Sequence, residues 1–129
     1  MDSIDVLVVE DEAHVHELLQ EVLEEAGYSV TIAPTADQAF AALEDPVTSY
    51  AALVTDIRLG AGAPTGWEVA RRGRELNPTL PVVYMTGDAG SDWAANGVPN
   101  SVLITKPFAP AQVVTAVSQL LNAGQPPSA

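Results

Sequence analysis

Short uninterrupted apolar runs alternate along this chain with longer stretches whose apolar positions recur every three or four residues. The first pattern belongs to strands buried on both faces, the second to amphipathic helices. Their alternation predicts βαβ units around a parallel sheet. Strands are expected at Val6-Leu7-Val8-Val9, Tyr28-Ser29-Val30-Thr31-Ile32-Ala33, Tyr50-Ala51-Ala52-Leu53-Val54-Thr55, Val82-Val83-Tyr84-Met85 and Val102-Leu103-Ile104-Thr105. The alternation in the second suggests a half-exposed edge.

The first helix is expected over residues 12–26, with Val15, Leu18, Leu19, Val22, Leu23 and Ala26 as one buried stripe and Gly27 ending it. Thr35 should cap a second helix running to Glu44, with Ala36, Ala39, Phe40 and Leu43 inward and Asp45-Pro46 as the stop. A third starts near Gly66-Trp67 and ends before Asn77-Pro78. Between Thr86 and Ser101, Gly87, Gly90, Gly97 and Pro99 leave only residues 91–96 for a helix of one or two turns. The last helix is expected over residues 110–121, using Val113, Val114, Val117, Leu120 and Leu121. This is a doubly wound α/β domain over residues 1–122, with five helices, the fourth short. Residues 123–129, rich in Pro and Ser, are expected to form a flexible tail.

A chain of 129 residues with 47% apolar content is long enough for one packed core. Seventeen acidic against five basic residues give a net charge of −12, which disfavours nucleic acid or an anionic membrane as partner. The absence of cysteine excludes disulfides and thiolate metal sites. No basic segment followed by an apolar stretch opens the chain, and no run approaches the ~20 residues that span a bilayer. A cytoplasmic location is therefore expected.

The chemistry sits where the strands stop. The first run ends in Glu10-Asp11, the third in Asp56, the fourth in Thr86-Gly87 and the fifth in Lys106-Pro107. In an open parallel α/β sheet, sites form outside the carboxyl ends of the strands. Three carboxylates, a hydroxyl and an ammonium should therefore meet in one crevice. Asp56, with no neighbouring base, suits a nucleophile in its ionised form, and attack on phosphorus would give an acyl phosphate. Lys106 supplies a point charge for phosphoryl oxygens and Thr86 a hydroxyl donor.

Hard oxygen ligands for Mg²⁺ are present as well. Asp11 and Asp56 are the expected direct ligands, Glu10 is expected to serve the metal through water, and the backbone carbonyl of Arg58 is a further candidate. Each like-charge carboxylate pair within about 5 Å costs roughly 3 kcal/mol at an effective dielectric near 20. One lysine does not offset three carboxylates, so a divalent ion should stabilise the fold.

Val8-Val9-Glu10-Asp11-Glu12, Leu53-Val54-Thr55-Asp56, Met85-Thr86-Gly87 and Lys106-Pro107-Phe108, in this order, resemble the receiver domain of two-component response regulators. The resemblance runs from about Ile4 to Asn122. It implies a flavodoxin-like sheet of order 2-1-3-4-5 and a cis peptide before Pro107. It also implies Mg²⁺-dependent transfer of a phosphoryl group to Asp56 from a phosphohistidine on a sensor histidine kinase or histidine phosphotransfer protein. The chain would catalyse its own phosphorylation and dephosphorylation and signal to a downstream protein by contact, as a monomer or weak dimer.

Three departures from the family pattern stand out. Leu103 occupies the switch position, three residues before the lysine, where the family usually carries Tyr or Phe. The helix after Thr86 is short. The loop from Leu59 to Gly66 is about two residues longer than usual. Arg58, Gly87 and Asp88 fall at positions that flank the phosphoryl entrance in the family, and the opposite charges of Arg58 and Asp88 suggest a pair that slows attacking water.

Taken singly, each strand-end residue reads as a solvated junction, a turn or a cap. His14 and His16, two apart on a helix, cannot share one face and are expected to be solvent-exposed. Trp67 and Trp93 are expected to anchor packing, and Glu17, Glu21, Glu24 and Glu25 to form the wet face of the first helix. A phosphatase of the haloacid dehalogenase type needs a second acid two residues after the nucleophile, where Arg58 stands. A nucleotide-binding domain needs glycines in the first turn, which instead reads Val9-Glu10-Asp11-Glu12-Ala13. A degenerate receiver used only as a scaffold would not need the complete acidic, Thr and Lys set.

Overall fold

The computed structural model describes residues 4–87 and 93–123 of the chain. Five strands form one parallel sheet of order β2-β1-β3-β4-β5. They are β1 (Asp5–Val9), β2 (Ser29–Ala33), β3 (Ala52–Asp56), β4 (Val82–Thr86) and β5 (Ser101–Thr105). The helices are α1 (Ala13–Glu25), α2 (Ala36–Glu44), α3 (Gly66–Leu76), α4 (Trp93–Asn96) and α5 (Pro110–Ala123).

Alternate side chains of each central strand feed opposite cores, as the pleat requires. Leu7, Val9, Leu53, Val82 and Tyr84 face a cluster closed by Ala36 and Ala39 of α2 and Val69 and Ala70 of α3. Val6, Val8, Val54, Val83 and Met85 face the other, closed by Leu19 and Leu23 of α1 and Val113, Ala116 and Val117 of α5. This explains why these strands read as unbroken apolar runs. Each fully buried Val or Leu contributes about 1.5–3 kcal/mol by leaving water. β2 lies at the sheet edge and alternates between exposed and covered positions, as its sequence suggests.

Several expectations need correction. Leu18 and Ala26 do not join the buried stripe of α1: Leu18 is 48% exposed and Ala26 is exposed. The helix presents only a narrow face to the sheet, so the outer positions of a wide stripe miss the core. His16 is half-buried, with Nδ1 enclosed and without a hydrogen bond, whereas His14 is exposed beside Glu12. Trp93 is exposed, and its indole N–H donates to Ser101 Oγ at 2.9 Å instead of filling a core. α5 continues two residues past expectation, to Ala123. The expected tail from Gly124 onward, and the start of the expected fourth helix, lie outside the described residues.

Candidate functional site

Register alone brings the strand-end residues together. β1 and β3 pair with Val9 opposite Thr55, which sets Glu10 beside Asp56. On the far side Asp56 pairs with Met85, and Thr86 with Thr105. The Lys106 amide donates to the Thr86 carbonyl at 2.7 Å, so the lysine leaves β5 at the level of the acidic cluster. The Lys106–Pro107 peptide is cis, as the resemblance implies.

Lys106 Nζ donates to Asp56 Oδ2 at 3.0 Å and lies 3.5 Å from Glu10 Oε2. Carboxylate oxygens of Glu10, Asp11 and Asp56 lie within 4.8 Å of one another. Asp56 is 7% exposed and Glu10 fully buried, while Asp11 faces solvent. Glu10 Oε1 accepts from the Glu12 amide at 3.3 Å, but its Oε2 has no hydrogen-bond partner. Burial, then the Asp56 charge, pushes the Glu10 carboxyl up to about 7, against the opposing pull of Lys106. Burial works against the Lys106 charge, yet the hydrogen bond and charge of Asp56, with Glu10, hold its ammonium above the usual lysine value.

The donor set fits a hard divalent cation. Three carboxylate oxygens converge, one of them buried without a hydrogen bond, and the negative charge exceeds what Lys106 offsets. Thr86 ends β4, 6% exposed, and Gly87 follows it in solvent. Arg58 is exposed two residues beyond Asp56. Asp88 lies outside the described residues. Leu103 is half-buried at the middle of β5 and pairs in register with Tyr84.

Two features around the site escape a reading of motifs. Gly66 opens α3 against the backbone around Asp56: its amide donates to the Ile57 carbonyl at 2.8 Å, and a Cβ there would collide with the Asp56 carbonyl oxygen. Tyr84 is fully buried, packs in a tilted ring contact at 4.7 Å against Trp67 of α3, and accepts the Val98 amide at 3.1 Å on its hydroxyl. The only sequence signal for the first was a glycine at a helix start. The second had none, since the partner segments are distant in the chain.

A doubly wound sheet with an acidic cluster, a strand-end Asp and a Lys before a cis proline defines a class of signalling domain. The response regulator receiver domain model matches residues 6–118, and the chain belongs to that family, the receivers of two-component systems. The chain is 41% identical to a response regulator receiver protein of Sinorhizobium medicae WSM419, whose crystal structure superposes with a TM-score of 0.91 over 96% of this chain and 98% of that one. It is 33% identical over 128 residues to an uncharacterized 14.6 kDa protein in the sodA1 3′ region of Leptolyngbya boryana, covering 96% of this chain and 95% of that protein. The receiver domain of the sensor histidine kinase PA1611 of Pseudomonas aeruginosa, solved with magnesium coordinated in its active-site cleft, shares the fold at 23% identity and a TM-score of 0.78, over 94% and 99% of the two chains. Against several other curated relatives the chain spans about half of their length or less. No helix among the described residues is long and apolar enough to cross a membrane.

Proposed function

We propose that this receiver accepts a phosphoryl group on Asp56 from a phosphohistidine of a partner protein, in a Mg²⁺-dependent reaction, and signals by protein contact. The observation that carries the reading is the 3.0 Å contact of Lys106 Nζ with Asp56 Oδ2, beside three converging carboxylates. An Asp56 oxygen attacks phosphorus in line; the new P–O bond forms as the donor's P–N bond breaks, and the electron pair leaves with the imidazole. Lys106 holds the nucleophile oriented and ionised, then shifts its charge toward the phosphoryl oxygens. The Thr86 hydroxyl donates to one of those oxygens. Glu10, Asp11 and Asp56, with the Arg58 carbonyl, would hold Mg²⁺, which supplies positive charge to the phosphoryl oxygens when bound. Arg58, Gly87 and Asp88 together would set how readily water reaches the acyl phosphate.

The donor's docking side is α1 and the segment after Lys106. Val15, Leu18, Leu19, Lys106, Pro107, Phe108 and Pro110 line an apolar cleft of about 330 Å³. Beside it, Glu17, Glu21, Glu24 and Glu25 are exposed on α1. Apolar contact ringed by acid favours helices with a basic rim on a cytoplasmic kinase or phosphotransfer domain. Intact mass after incubation with a small acyl-phosphate donor tests the chemistry. One added phosphoryl group, requiring both Mg²⁺ and Asp56, is expected; an adduct that survives Asp56→Asn would overturn the assignment.

A further inference from the structure

The strand ends opposite Asp56 carry a second feature. α3 holds three of the chain's five cationic residues, Arg71, Arg72 and Arg74. Arg71 is bound to Asn96, and Arg72 to Glu44 and Glu75. Arg74 differs. Its Nε–H donates to the Leu80 carbonyl at 2.6 Å, and no other hydrogen bond or ion pair engages it among the described residues. A guanidinium carries five N–H donors, so most of this fork is uncommitted. The group is half-buried, and burial lowers its pKa below the usual arginine value. In a chain of net charge −12, a partly desolvated cation without an acidic partner is anomalous.

Arg74 borders a cleft of about 540 Å³ between the 77–81 loop, the start of β5 and the end of α5. Pro78, Pro81 and Leu120 give it apolar walls. Asn100 lies on its rim in the left-handed conformation, φ 60°, and its carboxamide makes no hydrogen bond among the described residues. Thr79 and Ser101 also line it, but their hydroxyls are engaged by Asn77 and by Trp93 and Val98 respectively. Apolar walls with a few convergent polar groups are the make-up of a small-molecule site, and the volume falls within the usual range.

We propose that this cleft binds a small organic carboxylate, the anion on the Arg74 fork and the apolar body against Pro78, Pro81 and Leu120. The planar guanidinium matches a carboxylate in two parallel hydrogen bonds, and the Asn100 amide adds a third donor. The ligand enters from the end of the sheet remote from Asp56, so it is an input separate from phosphorylation.

Benzoate is a suitable probe, added to the full chain at constant ionic strength and followed by amide and Arg Nε–H resonances. Saturable shifts at Arg74, Asn100 and Ser101 are expected, with benzamide at least tenfold weaker. Arg74→Gln should weaken benzoate at least tenfold, and Arg74→Lys should restore only part of the loss because the charge returns without the fork. Asn100→Gly keeps the left-handed backbone and should weaken binding severalfold, so the test stands even if Arg74→Gln perturbs folding. Asp56→Asn should bind benzoate as wild type does, which separates this site from the phosphoacceptor. Shifts that never saturate, that benzamide reproduces, or that survive both Arg74→Gln and Asn100→Gly would overturn the proposal.

Discussion

Lys106 reaches from the end of β5, past β4, to set its ammonium 3.0 Å from Asp56 at the end of β3. The contact spans 50 residues of chain and rests on the registers of β3 with β4 and β4 with β5. Lys106→Ala should still fold but with lower stability, because it leaves the buried carboxylates of Glu10 and Asp56 without their paired cation. Its removal should slow acyl-phosphate-driven phosphorylation by about 10²–10³-fold, the usual effect of deleting one charge-stabilising donor. Time-resolved intact mass measures it, and a rate within threefold of wild type would exclude a transition-state role.

Glu10 makes the metal-free protein sensitive to pH. Its carboxyl titrates near 4.5 when unfolded and at about 7 in the fold. The raised value means that the folded state favours the neutral form. Its stabilising contribution is full below about 4.5 and is lost as pH rises to about 7. Mg²⁺ favours the carboxylate, so its binding should release a proton within the same window and tighten toward pH 7. Titration calorimetry at pH 6 in two buffers of different ionisation enthalpy should show the release. Glu10→Gln should abolish it, and Mg²⁺ at ten times its Kd should stabilise wild type by about 1.4 kcal/mol.

Gly66→Ala forces a methyl into the Asp56 carbonyl and to within 2.9 Å of the Ile57 Cα. Both neighbours are backbone and cannot rotate away. A loss of about 1–3 kcal/mol in urea unfolding is expected, as for other overpacked sites, together with slower phosphorylation because the nucleophile's backbone must shift. A change in stability alone, with unaltered phosphorylation rate, would show that α3 yields and the nucleophile does not.

Tyr84→Phe removes the hydroxyl that accepts the Val98 amide, leaving a buried N–H unpaired. The expected cost is about 1–3 kcal/mol. Faster hydrogen exchange at Val98 would localise it, and unchanged exchange there would assign the cost elsewhere.

Arg58→Ala should change the lifetime of the phosphorylated form, shortening it if the guanidinium hinders attacking water. Decay of the adduct mass at fixed pH reports this directly. An unchanged lifetime would leave Arg58 only its backbone carbonyl as a contribution.

Much of this protein was legible along the chain. Parallel strands buried on both faces read as unbroken apolar runs, and the residues that end them (Glu10, Asp11, Asp56, Thr86 and Lys106) follow those runs directly, so local pattern located both sheet and crevice. Caps and breakers were equally local: Thr35 accepts the Gln38 amide at 3.1 Å at the start of α2, and Gly27 follows α1 at φ 100°. What local pattern does not encode is distance between segments. Whether Leu18 meets the sheet or solvent depends on how α1 is rotated against α5. Whether Glu10 is wet or buried at a pKa of about 7 depends on β3 and Lys106 arriving beside it. Tyr84 on Trp67, Gly66 against Asp56, and the uncommitted fork of Arg74 follow from packing between elements far apart in sequence. Periodicity sets which face of an element is apolar, but only tertiary packing sets what that face meets, and charge and reactivity follow from the neighbour.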